Sequence, residues 1–171
     1  MFGLFRKKNN EETGEPEDSG SVKSPAAGRI IPLREVDDPL FAEEMLGKGA
    51  AVQPVCGRIV APGSGVVSTV ADTKHAVGLT LANGVELLIH VGLDTVKLNG
   101  RHFTIHVKKG QKVRPGDLLL EFDLEEIKKE GFDTTIPVIV SNTEQYGDIQ
   151  PVLGDVRELD QILVLTRRDN L

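Results

Sequence analysis

Asn83-Gly84 is the feature that most narrows the fold. It stands between two β-rich runs, AVGLTL and VELLIH, and an Asn-Gly pair in that setting signals a hairpin with a two-residue type I′ turn. With Ala82 and Val85 flanking the turn, His90 falls opposite Val77, and His75 lies two residues further along Val77's strand. Side chains two apart share a face. His75 and His90 thus become a diagonal pair on one side of the hairpin, with backbones roughly 7 to 8 Å apart. Val77, Leu79, Leu81 and Leu88 are expected on the same face, so the two imidazoles would stand in an apolar patch. One bulged residue would reverse these faces.

The remainder of the chain has a matching rhythm. Short apolar runs recur in SPAAGRIIPL, AVQPVCGRIVAPGSGVVSTV, VKKGQKVRPGDLLLEFD and TTIPVIVSN, punctuated by many of the chain's 18 glycines and 9 prolines. Runs of this length between turn residues predict an all-β fold, an antiparallel β-sandwich or barrel. Two helical interruptions are expected. Leu40 to Leu46 reads as one or two turns ending at Gly47, and Leu124 to Lys129 as a short helix stopped by Gly131. GRIVAPGSGVV and KKGQKVRPGDLLL share a cadence that hints at internal pseudo-repetition. His102 and His106, in RHFTIHVKKG, read as incidental histidines of a surface strand with no acidic residue or cysteine close in sequence.

A chain of 171 residues, 39% hydrophobic and 27% charged, is expected to form one domain, residues 21–171, behind a tail. The tail, residues 1–20, is polar and acidic through NNEETGEPEDSG and is expected to be disordered. Met1, Phe2, Leu4 and Phe5 beside Arg6, Lys7 and Lys8 offer at most a weak membrane contact. A net charge of −6 argues against nucleic acid and anionic membrane as partners, since both demand a basic face. The single cysteine, Cys56, has no partner for an internal disulfide and is expected to be a small buried apolar residue in a reducing compartment. No run reaches the length of a membrane span and no secretory leader is evident, so a cytoplasmic location is expected.

Two neighbouring imidazoles admit three accounts. Zinc at His75 and His90 is the lesser one, because a third protein ligand is lacking and no His-x-His is present. No cofactor is otherwise called for. Nucleophilic chemistry on phosphorus fits better: a neutral imidazole attacks in line, and its neighbour donates to the equatorial oxygens where charge spreads. An unperturbed pKa of about 6.5 leaves such a nucleophile largely neutral near pH 7. A pair of satisfied structural histidines is the bland account and ranks behind phosphoryl chemistry.

These residues resemble a known family, the glucose-type enzyme IIA of the bacterial phosphoenolpyruvate-dependent sugar phosphotransferase system. The resemblance covers residues 21 to 165 and is carried by PAAGRIIPLREVDDPLFAEEMLGKGAAVQP, GRIVAPGSGVV, GQKVRPGDLLLEFD, TIPVIVSN and above all GVELLIHVGLDTVKL. It implies a phosphocarrier that accepts a phosphoryl group from the histidine-containing phosphocarrier protein and passes it to a cysteine of the enzyme IIB domain of a sugar permease. By resemblance His90 is the phosphorylated residue, His75 its supporting histidine, Thr73 the hydrogen-bond partner of His75, and Gly92 the carbonyl holding the phosphorylated ring. Cys56 is not the pathway's phosphocysteine, and with no IIB segment in the sequence the chain is expected to act in trans.

A transient partner complex needs an apolar centre with complementary charge at its rim. Leu40, Phe41, Val77 and Leu88 are the apolar candidates, while Asp38 and Asp94 match family positions suited to a basic partner. By the same resemblance, many enteric members of the family carry larger aromatics around the site, whereas Ala71 and Gly78 are small here, which bears on partner preference. Phosphorylation of His90 would add about two negative charges to this face, so regulatory binding that depends on phosphorylation state is a further expectation.

Overall fold

The computed structural model describes residues 20–168. The expected N-terminal tail lies outside the described residues except for Gly20. Fourteen strands are described. The first seven are β1 (Ser21–Lys23), β2 (Gly28–Pro32), β3 (Lys48–Pro54), β4 (Arg58–Val60), β5 (Gly65–Val70), β6 (Ala76–Leu81) and β7 (Glu86–His90). The others are β8 (Phe103–Ile105), β9 (Lys112–Val113), β10 (Leu118–Phe122), β11 (Ile136–Val140), β12 (Tyr146–Pro151), β13 (Gly154–Val156) and β14 (Gln161–Arg167). An eight-stranded sheet runs β13-β2-β3-β11-β7-β6-β5-β9, and two three-stranded sheets run β1-β14-β12 and β4-β10-β8. The ladders are antiparallel. The large sheet ends on β13 and β9 and does not close, so of the expected sandwich or barrel the sandwich is realised. No described helix is long and apolar enough to cross a membrane.

Both short helices follow local chemistry. In α1 (Pro39–Ala42), Asp38 caps the start by accepting from Leu40 N–H at 2.9 Å, and Pro39 occupies a first-turn position that needs no donor. The chain leaves it through Glu44 at φ +58 and Gly47 at φ +137, so only the first turn of the expected segment is helical. In α2 (Leu124–Lys129), Asp123 caps Glu126 N–H at 3.1 Å, and Gly131 at φ +90 ends it. Glu125 and Glu126 at its start and Lys128 and Lys129 at its end complement the helix dipole.

The hairpin departs from expectation by one residue. Leu81 N–H donates to Val85, Gly84 N–H donates to Leu81 at 2.9 Å, and Gly84 takes φ +94 while Asn83 stays out of the left-handed region. This is a three-residue loop, Ala82-Asn83-Gly84, with glycine in the left-handed position rather than a type I′ turn. His90 therefore pairs with Ala76, and Val77 with Ile89. The faces exchange as a result. Val77, Leu79, Leu81, Val85, Leu87 and Ile89 enter the main core, with Ile59, Leu119, Leu120 and Ile162 among their company. Leu88 packs on a smaller cluster of Ile31, Leu33, Val36, Phe41, Ala51, Leu93 and Ile139.

The two look-alike segments meet each other. One carries β4 and β5, the other β9 and β10; β4 pairs with β10 in one sheet while β5 pairs with β9 in another. Each Pro-Gly turn thus carries its segment from one layer to the next, with Gly116 N–H donating to Ala61 at 2.8 Å where they cross. Two histidine and cysteine expectations need correction. His102 and His106 bracket β8, and each has a carboxylate from a distant segment, Glu130 for His102 and Glu121 for His106 at 2.8 Å. Cys56 is exposed, because it lies in the turn between β3 and β4 outside either strand, next to Val55, which is exposed too.

Candidate active site

His90 is the last residue of β7, half-buried, on the face that carries the smaller cluster. His75 is 7% exposed and stands just ahead of β6, where the loop turns back through Lys74 at φ +65. Strict strand parity would point His75 away from Ala76 and His90. It lies beyond the last ladder pair, however, so alternation does not govern its direction. The ring centroids are 4.7 Å apart with planes at 83°. The two imidazoles meet, by the end of the hairpin rather than by its register.

Each ring is held at Nδ1. His90 Nδ1 lies 2.8 Å from the Gly92 carbonyl oxygen. A carbonyl only accepts, so in the neutral ring the proton sits on Nδ1 and Nε2 keeps its lone pair. His75 Nδ1 lies 2.8 Å from the Thr73 hydroxyl. When that hydroxyl donates, the His75 proton is on Nε2, which becomes a hydrogen-bond donor. The Phe41 ring stacks 5.0 Å from His90 at a tilt of 56°.

Burial sets the protonation. His75 is pushed down to about 4, first by desolvation and next by the neighbouring His90, with its Thr73 hydrogen bond opposing. His90 is also lowered by burial, opposed by the Gly92 carbonyl and then by Asp38 and Asp94. Both rings are therefore neutral at pH 7. A cation forming on the His90 ring would be favoured by those same three groups.

The expected docking residues divide. Leu40 is 39% exposed, Asp94 is exposed, and Asp38 and Leu88 are half-buried. Phe41 is 1% exposed and walls His90 instead of facing a partner. Val77 is 0% exposed, turned into the main core by the one-residue change of register. Neither can serve as a docking side chain. Exposed Met45 and Leu46 after α1, and Val96 after Asp94, supply further apolar surface that no sequence motif marks. Gly78 is small for a local reason, since a Cβ there would come within 2.7 Å of the Thr69 methyl and 2.9 Å of the Ser68 hydroxyl. Among the described residues no three His, Cys, Asp or Glu side chains gather as a metal would need.

Comparison with known proteins agrees with the motifs. The family model for the phosphoenolpyruvate-dependent sugar phosphotransferase system, EIIA 1, matches residues 20–146. A PTS system beta-glucoside-specific EIIBCA component of Bacillus subtilis (strain 168) is 48% identical over 147 residues, 85% of this chain and 24% of that protein. The chain thus spans about a quarter of the length of such relatives. A PTS system glucose-specific EIIA component of Halalkalibacterium halodurans is 44% identical over 145 residues, covering 85% of this chain and 83% of the relative. The solved structure of glucose permease IIA from Mycoplasma capricolum superposes with a TM-score of 0.77 at 38% identity, covering 84% of this chain and 94% of that one.

Proposed function

Since the chain belongs to the EIIA 1 family of the phosphoenolpyruvate-dependent sugar phosphotransferase system, we propose that it accepts a phosphoryl group on His90 Nε2 and hands it to a cysteine of an enzyme IIB. The donor is the histidine-containing phosphocarrier protein. The Nε2 lone pair attacks phosphorus as the bond from phosphorus to the donor's ring nitrogen breaks, and the donor nitrogen recovers its electron pair. His90 keeps its Nδ1 proton throughout. Its ring becomes cationic, and the Gly92 carbonyl, Asp38 and Asp94 offset that charge.

His75 Nε2–H, oriented by the Thr73 hydroxyl, donates to a phosphoryl oxygen. Because His75 is already driven neutral, it adds no second positive charge beside the acceptor. Onward transfer reverses the sequence: the IIB thiolate attacks phosphorus, the phosphorus–Nε2 bond breaks, and His90 returns to its neutral Nδ1–H form. No cofactor enters either step. Leu40, Leu88, Met45, Leu46 and Val96 offer the apolar centre of the docking face, with Asp38 and Asp94 at its rim. The work is done on the cytoplasmic side, where the permease presents its IIB domain.

One observation carries this assignment: two imidazoles in contact, with His90 Nδ1 committed to a carbonyl. Incubation with phosphoenolpyruvate and the general components should yield an acid-labile, base-stable phosphohistidine. Label retained by His90→Ala would overturn the assignment.

A further inference from the structure

The loop after His90 contains a buried hydroxyl that touches neither histidine ring. Thr95 is 0% exposed, and its hydroxyl donates to the Val91 carbonyl at 2.5 Å, short for a bond between hydroxyl and carbonyl. Val91 in turn donates its N–H to the His75 carbonyl at 2.7 Å. One hydroxyl therefore joins, through a single residue, the backbone at both histidines.

The rest of the loop is braced from the segment just before β11. Gly92 N–H donates to Thr135 and Leu93 N–H to Asp133, both at 2.9 Å, while the Asp133 carboxylate accepts from Thr135 N–H at 2.8 Å. Gly92 takes φ +86, a conformation other residues resist, and the Thr95 methyl fills the space a side chain there would need. The 91–92 peptide is pinned at both ends, its Val91 carbonyl by Thr95 and its Gly92 N–H by Thr135, and the next peptide is pinned through Leu93 N–H, so the Gly92 carbonyl between them has one orientation. That orientation aims it at His90 Nδ1.

We propose that Thr95 is a positioning residue for phosphoryl transfer: its hydroxyl locks the loop so that the Gly92 carbonyl holds the His90 proton on Nδ1 and leaves Nε2 as the only nucleophile. The purpose assigned to this lock rests on His90 being the phosphoryl acceptor. The lock itself does not.

The test compares the whole chain with Thr95→Val and Thr95→Ser. Val keeps the shape and removes the donor, whereas Ser keeps the donor. The 15N shifts of the His90 ring at neutral pH report its tautomer without any phosphoryl donor present. Wild type and Thr95→Ser should show protonated Nδ1. Thr95→Val should show a mixture shifted toward protonated Nε2, together with labelling slowed by roughly tenfold, about the worth of one hydrogen bond. An unchanged tautomer in Thr95→Val overturns the proposal, because a purely structural threonine would alter stability and leave the ring alone. Should Thr95→Val fail to fold, Thr95→Cys makes the same comparison with a thiol, a weak donor. Wild type that shows the Nδ1 tautomer but takes no label at His90 would instead refute the acceptor assignment and leave the lock standing.

Discussion

The chain's four histidines form two pairs, and they differ in everything except residue type. His75 and His90 touch each other, sit among apolar side chains, and give their Nδ1 atoms to a threonine hydroxyl and a backbone carbonyl. His102 and His106 stand at the two ends of β8 and give their Nε2 atoms to glutamates. The first arrangement disfavours imidazolium and leaves nitrogen lone pairs for chemistry. The second commits each ring to a carboxylate and serves attachment: Glu130 joins both Arg101 and His102 to the end of α2. Neighbours, not the imidazole, decide which pair is fitted to act as a nucleophile.

The largest effect should come from removing the wall of the inner pair. Phe41 is fully buried in the smaller cluster and stacks on His90, so Phe41→Ala should cost about 3–5 kcal/mol in urea denaturation. It should also slow labelling, because His90 loses the ring that limits its motion. Loss of stability with labelling untouched would show that the wall supports only the fold.

Acid should separate the pairs next. His75 has a folded pKa near 4 against an unfolded value near 6.5, so between these values the unfolded chain binds the extra proton. Stability is then unaffected by this group above about pH 7 and falls as pH drops from 6.5 toward 4, by up to about 3 kcal/mol. His90 contributes in the same direction. The difference in unfolding free energy between wild type and His75→Gln, followed from pH 7.5 to pH 4, isolates this slope from the carboxylates. A flat difference would mean that His75 is not desolvated as described.

A comparable loss is expected in chemistry. His75→Gln should still accept phosphate but pass it to enzyme IIB about 10²-fold more slowly, the usual cost of one donor to a transition-state oxygen. Normal onward transfer would remove His75 from the mechanism and leave its contact with His90 merely steric.

How much of this was legible in the sequence depends on how local each signal is. The bounds of α2 were readable because Asp123, Leu124 to Lys129 and Gly131 encode both ends within a few residues. The histidine pair was readable from GVELLIHVGLDTVKL and from the hairpin, yet the hairpin had the wrong register, since Asn-Gly suits both a two-residue turn and the last two positions of a three-residue loop. The corrective signal was present: Val77, Leu79, Leu81, Val85, Leu87 and Ile89 are all odd-numbered, and only the observed pairing sets apolar against apolar across the ladder. Glu130 and Glu121 as partners of His102 and His106 were not readable, because 28 and 15 residues of sequence separate the contacts. Thr95 lay inside the motif, but its bond to Val91 depends on a fold-back that no periodicity encodes.

The smallest effect tests the outer pair. Glu130 is held below the usual carboxylate range, chiefly by its hydrogen bond with His102 and then by Arg101. A carboxylate lowered in the folded state contributes stability above its unfolded pKa and loses it as pH falls. Glu130→Gln should therefore be slightly less stable than wild type at pH 7, the gap should narrow with added salt because the group is exposed, and it should close toward pH 3. Labelling of His90 should not change at any of these conditions. A labelling rate that follows Glu130 would mean that the end of α2 communicates with the inner pair, and the division between a reactive and an attaching pair of histidines would no longer hold.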